Sequence, residues 1–75
     1  MLKRIQKVIT VNGMHCEHCQ KRVENALSRL HEVKKVEVTL EDKKVRVILK
    51  KEIGDEKIKE AIETLGYSVE NIILL

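Results

Sequence analysis

Two stretches decide how this chain folds: VENALSRL, residues 23–30, and IKEAIETL, residues 58–65. Val23, Ala26, Leu27 and Leu30 fall at i, i+3, i+4 and i+7, the stripe of an amphipathic helix. Ile58, Ala61, Ile62 and Leu65 repeat that stripe at an offset of 35 residues. Around each stripe the period changes from 3.6 to 2, the period of a strand. Ile5, Ile9 and Val11 share one parity and run into Asn12-Gly13. Val36, Val38 and Leu40 alternate with Glu37 and Thr39, EDKK makes a polar turn, and Val45, Val47 and Leu49 complete a β-hairpin. Gly54-Asp55 opens the second helix and Gly66 closes it as a left-handed C-cap. Tyr67, Val69 and the run from Asn71 to Leu74 supply a last strand.

A strand-helix-strand unit therefore occurs twice. The order βαββαβ predicts an α+β protein of the ferredoxin-like split type, with four antiparallel strands carrying both helices on one face. Every amphipathic face then has somewhere to be buried. The 75 residues form one domain, residues 1–75, with no linker or low-complexity segment. A chain this short buries only about 60% of its unfolded surface, so its stability margin is thin and a large enclosed cavity is not expected. Val, Ile and Leu supply nearly all the core material, and Tyr67 is the one Phe, Tyr or Trp side chain. No apolar run approaches the roughly 18 residues that would span a bilayer, and the start MLKRIQKVITVNG alternates instead of forming a signal-peptide core. The expectation is a cytoplasmic protein without direct membrane insertion. Met1 just before the first strand and Leu75 soon after the last suggest a complete, free-standing chain.

Both cysteines lie in GMHCEHC, Gly13 to Cys19. Two cysteines so close together, in a reducing compartment, point to a metal or redox site and away from a structural disulfide. A thiol binds metal as the thiolate, which requires its pKa of about 8.5 to fall. With a helix starting near Glu17, Cys16 sits just before it and Cys19 in its first turn, against the positive end of the helix dipole. A closed zinc site wants four ligands, and no second pair at suitable spacing is present. Two soft sulfurs with nothing obligatory beside them suit monovalent copper, Cu(I). Copper(I) with two thiolates carries a net charge of −1, which the helix start and Lys21 or Arg22 stabilise. His15 and His18 are read as solvated loop residues, with a third-ligand role left open. His31 is read as a cation near the C-terminal dipole of the helix. Tyr67 is left between ring packing and a role beside the sulfurs.

GMHCEHC resembles the G-M-x-C-x-x-C signature of heavy-metal-associated domains, a family of small copper chaperones and N-terminal modules of copper-transporting P-type ATPases. The resemblance covers almost the whole chain, from the strand before Gly13 to the IETLGY stretch. It implies that Cys16 and Cys19 are the copper ligands and that Met14 anchors the loop in the core. It also implies that Tyr67 lies close to the metal. Zinc- and cadmium-transporting relatives often have an acidic residue near His15, so its absence favours copper. The implied function is a free-standing, bacterial-type cytosolic copper(I) chaperone, not an enzyme. It would pass its ion by thiolate exchange to the metal-binding domain of a copper-transporting P-type ATPase, with a copper-bridged homodimer as a further arrangement.

The rivals are weaker. A module detached from a transporter, or a carrier of mercury, silver or zinc, fits the same residues. A thiol-disulfide oxidoreductase shares C-x-x-C at a helix start, but there is no Pro to face a disulfide and no Trp near the motif. No nucleic-acid partner is expected: a net charge of +3 is modest, and one Tyr makes no stacking platform.

Overall fold

A computed structural model describes residues 5–75. The expectation that the first strand follows Met1 directly lies outside the described residues. Elsewhere the elements come in the anticipated order: β1 (Ile5–Asn12), α1 (Glu17–Ser28), β2 (Val33–Thr39), β3 (Lys44–Leu49), α2 (Asp55–Glu63) and β4 (Ser68–Leu74). The strands form one antiparallel sheet in the order β2-β3-β1-β4, the ferredoxin-like arrangement.

Register follows from parity. Ile9 faces Val45 and Ile5 faces Leu49 across β1 and β3, while Ile9 faces Ile72 and Val11 faces Val69 across β1 and β4. One face of the sheet thus gathers Ile9, Val11, Val45, Val47 and Leu49, all buried, under Val23 and Leu27 of α1 and Ile58 and Ile62 of α2. Each such side chain contributes roughly 1.5–3 kcal/mol by leaving water, which is how a core without Phe or Trp holds together. β2 starts earlier than its alternation suggested, at the buried Val33, because Lys50 N–H bonds back to Glu32 O at 2.7 Å and extends the pairing. The hairpin turn places Lys43 at φ 57°, and Gly66 takes φ 97° where the chain leaves α2.

Alternation conceals one feature. Lys7 has the parity of Ile5, Ile9 and Val11 and points into the core face, where it is only 4% exposed. Its ammonium donates to Ile53 O at 2.8 Å and to Asp55 Oδ1 at 2.6 Å. Asp55 is the first residue of α2, and the N-cap before it, Gly54, offers no side chain to cap the helix. A buried lysine on β1 therefore ties down the start of a helix 48 residues away. Since β1 and β3 are antiparallel neighbours, the turns that follow them lie at opposite ends of the sheet.

Candidate metal centre

The other end of the sheet carries the cysteines. After β1 the chain turns at Gly13, whose φ of 104° is a conformation that side chains resist. A Cβ there would also sit 3.1 Å from Cδ1 of Tyr67, so the glycine admits both the turn and the ring. Met14 then drops into the core, 3% exposed, as the family resemblance implied. His15 and Cys16 come back out to solvent.

Cys16 is the N-cap of α1, extended at φ −152° and ψ 172°, and its carbonyl accepts the Gln20 N–H at 3.1 Å. Cys19 follows in the first turn, half-buried against the core, and Cys16 is exposed. Both are free thiols with sulfurs 3.6 Å apart. That is well beyond the disulfide length of about 2.05 Å. Two metal–thiolate bonds of about 2.3 Å each span at most about 4.6 Å, so the pair can close on one ion with little movement.

The acidity of Cys19 has other sources than the helix dipole that the sequence suggested. Its pKa falls from an ordinary 9.0 to about 7, first through a hydrogen bond from the Tyr67 side chain, then through the His15 backbone N–H and the Cys16 thiol, against a smaller opposing effect of burial. The same contact raises the pKa of Tyr67, with burial and the charge on Cys19 acting in the same direction and Arg22 opposing. Tyr67, left open by the sequence, packs against the core with Cys19 as its neighbour. The His15 backbone N–H is a contributor that the sequence reading missed. Nothing in the residue type marks a backbone donor.

The side chains of His15 and His18 are exposed. Among the described residues no three His, Cys, Asp or Glu side chains come together as a group able to hold a metal. Lys21 and Arg22 are exposed on α1 beside the loop, and the Arg22 guanidinium lies over the Tyr67 ring, 5.9 Å from its centroid. His31, expected near the C-terminal dipole, lies in the turn three residues beyond Ser28, and the last turn of α1 holds no basic residue. Among the described residues no helix is long and apolar enough to cross a membrane.

Strand, glycine turn, buried Met and paired thiols at a helix start make up an exposed dithiol loop on a ferredoxin-like sheet. The chain belongs to the heavy-metal-associated domain family, whose model matches residues 8–68. Among curated relatives it is similar to the copper chaperone CopZ of Staphylococcus epidermidis, 48% identical over 69 residues that cover 85% of this chain and 96% of the relative. Among solved structures it is similar to the CopZ metallochaperone, with a TM-score of 0.81 and 37% identity over 85% of this chain and 97% of the other. It also matches the N-terminal domain of ZntA in its Zn(II) form, with a TM-score of 0.80 and 30% identity over 88% of this chain and 89% of the other.

Proposed function

We propose that this chain is a cytoplasmic copper(I) chaperone that holds one ion between Cys16 and Cys19. It passes that ion by thiolate exchange to the metal-binding domain of a copper-transporting P-type ATPase. The observation that carries this reading is the pair of free sulfurs 3.6 Å apart at the exposed start of α1. The lowered pKa of Cys19 supports it, since a thiol near 7 supplies a substantial thiolate fraction at neutral pH. Likeness to CopZ along most of the chain is the second support.

Two-coordinate copper leaves room for an incoming sulfur. A partner thiolate attacks the ion, a three-coordinate bridge forms and one of the original sulfurs lets go; a second partner thiolate then attacks and the other original sulfur leaves, so two metal–sulfur bonds form and two break. Cys16, the exposed member, is the sulfur that an approaching partner meets first. No bond other than metal–sulfur is made or broken, so the process is carriage and not enzymatic catalysis.

Likeness to the zinc form of the ZntA domain keeps a zinc carrier as the second reading. Anaerobic competition decides between them, with copper(I), zinc and mercury(II) each offered against chelators of known strength. The expected result is copper(I) binding far tighter than zinc, at one ion per chain, abolished by alkylation of the cysteines. Preference for zinc, or copper binding that survives alkylation, would overturn the proposal. Stopped-flow exchange then tests transfer: delivery to a copper-ATPase domain should outpace spontaneous release and scale with partner concentration. Transfer at the rate of release would leave a buffering role only.

A further inference from the structure

Tyr67 reaches Cys19 from the far end of the sequence, just before the edge strand β4, and beyond its packing on the core two groups next to the metal loop lie against its ring. On one side is the Gly13 backbone, where a Cβ would stand 3.1 Å from the ring. Over its face is Arg22, one turn along α1 from Cys19, with its guanidinium 5.9 Å from the ring centroid. That distance is within the range at which a cation is attracted to the face of an aromatic ring. The side chain is exposed, and Tyr67 is the partner the structure gives it.

The geometry points to Arg22 as a positioning residue of the metal loop. By stacking on Tyr67 it keeps the phenol between α1 and Gly13, with its hydroxyl toward Cys19, and so limits how readily an outside thiol reaches that sulfur. Its role differs from the attraction of an acidic partner, which any exposed positive charge near the loop, Lys21 included, would supply. Charge on the surface acts at long range and tolerates Lys for Arg. Stacking acts at contact and depends on the planar guanidinium, so Lys serves only in part. This inference rests on the reading of Cys16 and Cys19 as copper ligands, and its two measurements separate it from that reading.

The first uses the metal-free protein and needs no copper. Tyr67 is the only Tyr and the chain has no Phe or Trp, so its ring protons are easily assigned in a nuclear magnetic resonance spectrum. Cross-relaxation between that ring and the Gly13 α-protons should be strong in the wild type. It should fall to less than half in Arg22→Ala and lie between the two in Arg22→Lys. An unchanged Tyr67–Gly13 contact in Arg22→Ala overturns the proposal. The second measurement follows copper(I) capture by a small neutral thiol, for which surface charge is of little consequence. Arg22→Ala should accelerate capture by about two- to five-fold, the rate equivalent of an exposed cation–π contact. It should have no effect in a Tyr67→Ala background. Equal acceleration with and without Tyr67 overturns the proposal and reduces Arg22 to a surface charge. Failure of the wild type to load copper through its two sulfurs would overturn the functional reading and the kinetic half of this one together. The metal-free spectrum would still judge the hold of Arg22 on the ring.

Discussion

The two helices begin alike and are used in opposite ways. Each follows a strand of the central pair, each shows the same apolar stripe, and each is preceded by one buried apolar anchor, Met14 before α1 and Ile53 before α2. Neither N-cap makes a side-chain capping bond. At α2 the helix start is instead tethered from within, by Lys7 donating to Ile53 O and to the Asp55 carboxylate. At α1 it is left open, with two thiols facing solvent or nearly so. A domain this small cannot make every corner both rigid and reactive. The Lys7 end is tied down by buried polar bonds, while the cysteine end stays accessible with Met14 packed beneath it and Tyr67 beside it.

The largest expected effect breaks the open end. Cys16→Ser or Cys19→Ser replaces a soft thiolate by a hard, protonated hydroxyl and should lower copper(I) affinity by orders of magnitude, measured by anaerobic chelator competition. Far-ultraviolet circular dichroism should stay the same, because neither thiol is fully buried. Retained affinity in both variants would show that the sulfurs are not the ligands.

Next comes the anchor beneath that loop. Met14→Ala removes a side chain that is 3% exposed and should cost about 2–5 kcal/mol in urea unfolding. Met14→Leu roughly conserves volume and should cost less than about 1.5 kcal/mol with copper binding kept. If Leu abolishes binding in a folded protein, the thioether is a ligand.

The locked end is sharpened by an asymmetric pair. Lys7 is buried but the Asp55 side chain is 58% exposed, so the two are not equally costly to orphan. Asp55→Ala strands an ammonium in the core with one carbonyl for company and should cost about 3 kcal/mol. Lys7→Met leaves Asp55 to water but takes the donor from the buried Ile53 carbonyl, and should cost less, about 1–2 kcal/mol. Equal losses would mean that the pair matters mainly as a helix tether.

The smallest effect is a titration. Tyr67→Phe removes the hydroxyl that contributes most to the acidity of Cys19, so the titration of the Cys19 thiolate in the metal-free protein should move up from about 7 toward 9.0. The sign for stability follows. A thiol whose folded pKa is depressed adds stability that is fully present above its unfolded value and is lost as pH falls through about 7. The advantage of wild type over Tyr67→Phe in unfolding experiments should therefore grow between pH 7 and 9. A pH-independent difference would assign Tyr67 to packing alone.

Periodicity was enough to place the elements. Val23 to Leu30 and Ile58 to Leu65 each bury one stripe, and the alternation in β1 and β3 buries one face, whatever their neighbours turn out to be. Helix starts and glycine turns are equally local, so the position of Cys16 just before α1 and of Cys19 in its first turn followed from a few adjacent residues. What the sequence could not contain is which distant side chain fills a position that local rules assign to no one. Lys7 has the parity of a core residue and the chemistry of a surface one. Only the arrival of Ile53 and Asp55 across the sheet gives its ammonium partners and makes burial affordable. Tyr67 is 48 residues from Cys19, and its contact with the sulfur depends on β4 pairing beside β1 and on the absence of a side chain at Gly13. Hydrophobic pattern is a property of neighbours in sequence and can be read there. Hydrogen bonding to a buried ammonium or a reactive thiol needs specific atoms within about 3–4 Å, and only the folded chain decides which atoms those are.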